Sequence, residues 1–209
     1  IFKNKQLKTM KTTITSLSVV VIFLFLCGNS ILNAQMSWNH AGRFPGTTKG
    51  HVAIPNSPSL NITGTFTLEA WINPSVTSAL GKGIIAKGPS SSGRYALRIL
   101  SNRIFIVSNT SSKLISRISN PIPLNTWTHV AGTLDTNGVY KIYINGNLDT
   151  SSTIANSFPN SGTDSLMIGS TNTSNEFEGM IDEVRVWNTA LSAIQITGLM
   201  KSSLGISGD

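Results

Sequence analysis

One strand-like segment places two side chains with binding chemistry on the same side. Over residues 66–72, apolar residues alternate with a more polar set that includes Glu69 and Trp71, so an extended chain turns both to one face. An indole ring packs on the CH faces of a sugar, and a neighbouring carboxylate accepts hydrogen bonds from its hydroxyls. The pattern indicates Glu69 and Trp71 as a candidate ligand-binding pair. The competing interpretation, favoured because large aromatic residues mostly pack in cores, is a buried Trp71 with Glu69 fastened to Arg185 or His129.

A second pair of side chains raises the question of catalysis. Glu176 and Glu178 alternate around one aromatic residue, and glycoside hydrolysis needs two carboxylates that flank the bond, about 5–5.5 Å apart in retaining enzymes. This pair precedes Gly179 at a strand entrance, with no aromatic-rich surroundings. The sequence therefore favours two glutamates at a solvated loop edge, and we expect this protein not to be an enzyme. The three histidines lack metal-ligand spacing, and no serine lies in a nucleophile-elbow motif.

The N-terminal segment 1–34 has the order of a secretory signal peptide. A start at Met10 is followed by a lysine and by the unbroken apolar run 19–26, and Ala34 offers a small residue for cleavage. The apolar run is shorter than the roughly 20 residues of a membrane-spanning helix. We therefore expect cleavage after Ala34, a mature domain over residues 35–209, and no membrane span in it.

The leader also carries much of the positive charge. The chain has 16 Lys and Arg against 9 Asp and Glu, a net charge of +7. Four of the lysines lie in the leader, so the mature chain keeps 12 basic residues and a charge of +3. That balance, without a basic cluster, predicts no nucleic-acid partner. The only cysteine, Cys27, leaves with the leader, which excludes disulfides and thiolate chemistry from the mature chain.

Beyond the leader, short apolar or alternating segments are separated by Gly, Pro, Asn and Ser, which predicts strands joined by turns. Asn-Gly at 137–138 and at 145–146 suits tight hairpin turns, as does the polar link 100–103. One helix is predicted from residue 191 onward, with Ser192 as its N-cap, packed across an edge of the sandwich. The predicted strands cover residues 50–55, 65–73, 83–87, 94–100, 103–108, 114–119, 126–134, 139–145, 165–169 and 179–187. The fold class is therefore an all-β antiparallel sandwich, or jelly roll, with one short C-terminal helix and the signal peptide outside the fold.

An ordered set of segments resembles the laminin G-like, concanavalin A-like lectin and glucanase jelly-roll family. The set extends from residue 43 to residue 199 and comprises residues 51–55, 66–72, 84–87, 95–97, 127–131, 141–146, 167–169 and 177–187. The resemblance implies a secreted recognition domain, and the leader is typical of a bacterial protein. It also implies a further strand after the helix, so we expect a domain truncated at its C-terminus, with an unpaired sheet edge.

Members of this family often bind calcium, so the resemblance also points to a candidate calcium site. Asp182 matches a characteristic acidic position of the terminal strand, and calcium takes several oxygen ligands. The turn that often supplies a second carboxylate reads Phe44-Pro45-Gly46 here, without an acid. Asp182 is the one candidate metal ligand, and the favoured alternative is an Asp182 that bonds a neighbouring turn or strand end. No cofactor other than calcium is implied.

Together these features predict a secreted or cell-surface recognition module that binds a glycan without catalysis. The alternatives are a protein–protein adhesion or structural module of a larger surface protein, whose partner is an extracellular protein, and, less favoured, a glycoside hydrolase. Because one fold hosts many functions, the ligand follows from the resemblance and not from the fold. The sequence leaves the oligomeric state open.

Overall fold

The computed structural model describes residues 19–20, 41–47, 50–88, 94–109, 112–155, 158–171 and 175–202. Within them the chain forms strands and one short helix, α1 (Ala193–Leu199). The strands are β1 (Val19–Val20), β2 (Gly42–Pro45), β3 (Val52–Ile54), β4 (Phe66–Pro74), β5 (Lys82–Lys87), β6 (Tyr95–Leu100), β7 (Arg103–Ser108), β8 (Ser112–Ile115), β9 (Thr128–Leu134), β10 (Val139–Ile144), β11 (Asn147–Thr153), β12 (Leu166–Ile168) and β13 (Glu178–Trp187).

The strands form two antiparallel sheets packed face to face. The first, sheet A, has the order β13, β4, β9, β10, β11, with β2 and β1 both paired to the outer edge of β13. The second, sheet B, has the order β3, β12, β5, β6, β7, β8. This is the predicted antiparallel sandwich with one short helix near its C-terminal end.

The core lies between the sheets and follows from strand alternation. The inward set of β4 is Phe66, Leu68, Ala70 and Ile72, all fully buried. Across the core, the ring of Phe66 lies 5.7 Å from that of Tyr95 on β6. Successive side chains point to opposite faces of a strand, so the residues between them in sequence lie on the outer face of sheet A.

The predicted hairpin turns are confirmed. Asn145 and Gly146 both have positive φ, 49° and 78°, at the tight turn between β10 and β11. Ser101 and Asn102, with φ of 47° and 58°, make the same kind of turn between β6 and β7. Asn and Gly tolerate this left-handed backbone, which explains why their positions marked the turns.

The helix is also confirmed. Ser192 caps it through a capping box with Gln195. It packs against the outer face of sheet A and contacts the edge strand β11 as predicted, and it buries an apolar cluster against the sheet. The cluster consists of Ala131, Tyr143, Trp187, Leu191 and Ile196, with Leu199 packed against it. The helix therefore covers outward residues of β9, β10 and β13.

Four strand assignments differ from the sequence-based ones. Strand β2 and the polar strand β11 were not predicted, and β8 begins and ends earlier than the predicted 114–119. Strand β1 lies within the predicted signal peptide and pairs with Val186 and Trp187. The rest of that leader lies outside the described residues, so its cleavage stays a prediction, as does the expected C-terminal truncation.

Candidate functional site

Two rows of side chains meet on the outer face of sheet A, beyond the last turn of α1. In one row Asp182 of β13 pairs with Trp71 of β4, which pairs with His129 of β9. The neighbouring row continues from Met180 to Asn73. Trp127 lies one residue before β9, whose first residue Thr128 pairs with Ile72, so strand alternation puts it on the same face as His129. We call Trp71, Asn73, Trp127, Met180 and Asp182 the outer platform.

The outer platform presents aromatic and polar groups to solvent. Trp127 is 37 % exposed, and the other four members are half-buried. An exposed indole offers an apolar surface with a polar edge, whereas the carboxylate of Asp182 and the amide of Asn73 offer hydrogen-bond acceptors and donors. The sequence analysis identified Trp71 and Asp182 separately, and the structure makes them direct cross-strand neighbours.

Trp71 is held in place from two sides. Its indole Nε1 donates a hydrogen bond of 3.2 Å to the carbonyl oxygen of Met200, just after α1. Its ring meets the imidazole of His129 edge-on, with 5.5 Å between ring centroids. The end of the helix and the central strand of the sheet therefore fix the orientation of this indole.

Glu69 lies two residues before Trp71 and is fully buried. Its Oε1 accepts a 3.0 Å hydrogen bond from the Nε1 of Trp187 and lies 3.7 Å from Nη1 of Arg185. Its Oε2 lies 3.4 Å from Nε2 of His129. Arg185 and His129 are the two partners that the sequence analysis named for a structural Glu69.

Arg185 ties this buried cluster to the chain after the helix. Its Nη2 donates to the carbonyl oxygen of Ser202 at 2.7 Å and also contacts the carboxylate of Glu183. Glu69, His129 and Arg185 are all at most 1 % exposed, so a ligand on the surface does not touch them in this arrangement. Any contribution of Glu69 to binding passes through His129 and Trp71.

Asp182 supports a β-bulge. Its Oδ1 accepts a 2.8 Å hydrogen bond from the backbone N–H of Glu183, which has a positive φ of 50° at the register shift between Asp182 and Arg185. Within the described ranges, no cluster of three or more His, Cys, Asp or Glu side chains is arranged to hold a metal ion. The nearby Glu183 is already paired with Arg185, so the residues described here do not supply the several oxygen ligands that calcium takes. A calcium role for Asp182 stays a prediction.

The two acidic residues considered for catalysis have different surroundings. Glu178 is half-buried and accepts a 3.4 Å hydrogen bond from the hydroxyl of Ser75. Glu176 is only 6 % exposed, and its Oε1 has no hydrogen-bond partner. The predicted solvated loop edge is therefore wrong for Glu176, because its neighbour Asn175 is bonded to sheet B, where the Asn175 carbonyl accepts from the N–H of Gly83.

Two depressions accompany these residues. A hollow of about 400 Å³ lies between α1 and the turn that joins β10 to β11, lined by Gly146, Asn147, Leu148, Ala193, Ile194 and Thr197. A cavity of about 10 Å³, room for a single water molecule, lies at the sandwich end between Pro74, Lys82 and Glu178. In the part of the chain that the structure describes, no helix has the length and apolar character to cross a membrane.

Sheet order, helix position and loop arrangement together define a lectin-like jelly-roll domain. The chain belongs to the concanavalin A-like lectin/glucanases superfamily, through a laminin G family whose model matches residues 46–197. The resemblance drawn from the sequence is therefore confirmed. No curated protein is significantly similar to this chain.

Solved structures with the same fold include several binding domains. Domain 4 of AbnA, an extracellular GH43 arabinanase from Geobacillus stearothermophilus solved with arabinotriose, is 22% identical, with a TM-score of 0.61, and the alignment covers 82% of each chain. A candidate carbohydrate-binding protein from Bacteroides ovatus is 24% identical, with a TM-score of 0.62 over 75% of this chain and 45% of that one. The binding domain of Paraclostridial Mosquitocidal Protein 1 is 16% identical, with a TM-score of 0.60 over 75% of this chain and 42% of that one. This chain thus spans less than half of the last two proteins, and at these identities the likeness establishes the fold alone.

Proposed function

We propose that this protein is a secreted or surface-displayed carbohydrate-binding module without catalytic activity, and that the outer platform is its sugar site. The observation that carries the proposal is the cross-strand pair of Trp71 and Asp182 on the same outer face as Asn73, beside the exposed Trp127 that precedes β9. Sugars are recognised by aromatic rings that cover their CH faces beside groups that bond their hydroxyls, and this patch offers both.

Each member of the outer platform has a distinct task in the proposed site. Trp127, the most exposed of them, supplies the ring on which a sugar stacks. Trp71 presents a second indole edge, already oriented by the Met200 carbonyl and by His129. The Oδ2 of Asp182 makes no hydrogen bond to a described residue and is available to accept from a hydroxyl. Glu69 acts as a positioning residue, because it lies against the imidazole on which Trp71 packs.

Several observations favour binding over hydrolysis. The outer platform contains one carboxylate, whereas glycoside hydrolysis needs two on opposite sides of the scissile bond. The neighbouring Glu183 is already paired with Arg185. The arabinanase domain solved with arabinotriose supports a sugar ligand for a domain of this fold, and the extracellular enzyme that carries it supports a secreted location.

The test is a glycan screen followed by titration calorimetry on the best ligand, comparing the wild type with Trp127→Ala. An indole buries at most about 250 Å², so a ring that is 37 % exposed offers a sugar about 90 Å². At about 25 cal/mol per Å², covering all of it contributes about 2.3 kcal/mol, so the loss of the ring weakens binding by up to about 50-fold.

The matched control is Phe158→Ala. Phe158 is also 37 % exposed but lies between β11 and β12, at the opposite end of the sandwich from Trp127. It should leave the affinity within about twofold, as surface substitutions outside a site usually do. Equal losses from both substitutions, or no change from Trp127→Ala, would place the sugar elsewhere and refute the outer platform as the site.

A further inference from the structure

A second candidate site lies on the outer face of sheet B, on the opposite side of the sandwich. Arg98 is the outward residue of β6 between the core residues Leu97 and Ile99. Its cross-strand neighbours are Gly83 on β5 and Phe105 on β7. Although it lies on an outer face, Arg98 is only 7 % exposed. The domain therefore holds a nearly buried cation away from its core and away from the outer platform.

The guanidinium of Arg98 has no anionic partner among the described residues. Its only described contact is with the ring of Phe105, whose centroid lies 5.9 Å from Cζ. Its Nε is sealed from solvent and has no hydrogen-bond acceptor. By contrast, Arg94 pairs with Asp164, and Arg103 donates to the carbonyl oxygen of Ser116.

An unpaired charge in this position is unfavourable in the free protein. Burial lowers the pKa of Arg98, because the charged form loses hydration. Buried charges in proteins are normally paired or bound to an ion. Arg98 departs from this rule, because its guanidinium has no anionic partner in the described part of the chain. A binding site for an anion requires such a group, since the ligand then supplies the missing partner.

The surroundings of Arg98 enclose it on two sides. The chain at Gly81 lies so close that a side chain there would reach 2.7 Å from Cζ of Phe105 and 3.9 Å from Cδ of Arg98. Gly83 lies directly under the carbonyl oxygen of Ser170, which a side chain would overlap. Only Nε among the guanidinium nitrogens is sealed and unpaired, so Nη1 and Nη2 remain open to solvent. The part of Arg98 that a ligand can reach is therefore the pair of Nη donors of its guanidinium.

We propose that Arg98 anchors an anion-binding site for a carboxylate, such as that of a uronic acid. Arginine presents paired N–H donors that match the two oxygens of a carboxylate. One unpaired cation is neutralised by one monoanion, whereas a phosphate dianion would leave excess charge in an enclosed site. The site lies on the other sheet from the outer platform, so it extends the proposed sugar binding to acidic ligands without depending on it.

The test is an NMR titration of the protein with D-glucuronate. D-glucose and sulfate are titrated in the same way for comparison. Wild type should bind glucuronate saturably and at least about 10-fold more tightly than glucose, because a charge-assisted bidentate contact is added. Arg98→Met should abolish that preference, and Arg98→Lys should weaken it, because an ammonium lacks the fork. Arg117→Met, which removes the charge of an exposed arginine, should leave it unchanged.

Further outcomes separate this site from the outer platform and from a folding defect. Trp127→Ala should leave glucuronate binding unchanged, and without ligand Arg98→Met should melt no lower than wild type, because an unpaired buried charge has been removed. Glucuronate binding that survives Arg98→Met would overturn the proposal. Arg98-dependent binding of sulfate but not glucuronate would overturn the carboxylate assignment. Should Arg98→Met fail to fold, Arg98→Lys decides: glucuronate binding as tight as in wild type would overturn the arginine fork.

Discussion

Glu69 offers the sharpest separation of a structural role from a ligand contact. The substitution Glu69→Gln keeps the shape of the side chain and an oxygen that can accept from Nε1 of Trp187. It removes the negative charge between Arg185 and His129, both of which are almost fully buried. Breaking a buried ion pair by neutralising one partner costs about 3–5 kcal/mol.

The lower end of that range applies here, because Arg185 keeps its contacts with Glu183 and with the Ser202 carbonyl. A loss of about 3 kcal/mol lowers the melting temperature of a domain of this size by about 6–12 °C. Urea unfolding gives the free energy, and differential scanning calorimetry gives the melting temperature. The matched control is Glu183→Gln, which uncharges the other carboxylate on Arg185. Because Glu183 is 23 % exposed at its side chain, this control should cost no more than about 1 kcal/mol.

Equal effects of Glu69→Gln and Glu183→Gln would refute this reasoning, because burial would then not decide the cost. A Glu69→Gln variant of wild-type stability that had lost sugar binding would assign Glu69 to direct ligand contact. Glu69 would then have the ligand-binding role, together with Trp71, that the sequence suggested.

Two further predictions concern stability alone. Burial raises the pKa of Tyr95 from its ordinary value near 10, so the unfolded chain releases this proton first and the wild type loses up to about 1.4 kcal/mol of stability per pH unit above pH ~10. Urea unfolding between pH 9 and 11 should show that Tyr95→Phe loses less stability with rising pH than the wild type does. At neutral pH the substitution should cost about 1 kcal/mol, because the bond to the Leu60 carbonyl is lost. Parallel pH profiles of the two proteins would contradict this. Ser192→Ala removes the cap of α1 and should cost about 1 kcal/mol by the same assay, whereas an unchanged unfolding midpoint would mean that the helix does not depend on its cap.

The sheet elements were predictable wherever alternation or turn chemistry was strong. The segment 66–72 and the Asn145–Gly146 turn are local signals, and both appear in the structure as expected. Strand β11 was missed because it is an exposed edge strand of mostly polar residues, which read like a loop. Strand β2 was missed because it is only four residues long and ends in proline.

The site was less predictable because it depends on tertiary packing. Glu69 is buried by partners from other strands, namely Trp187, Arg185 and His129, and no local pattern gives these contacts. One available signal was overlooked: Asn73 lies two residues after Trp71 in the same strand, and alternation alone puts both on one face. Arg98 gave a similar signal as a lone charge between apolar residues.

The most direct test of the proposed function follows the indole N–H signals of the tryptophans by ¹⁵N NMR during titration with the best-binding glycan. The outer platform predicts saturable shifts of the Trp127 and Trp71 indole signals. The Trp187 indole should stay unchanged, because it is buried and bonded to Glu69. Unshifted Trp127 and Trp71 signals at saturating glycan would contradict the outer platform as the sugar site.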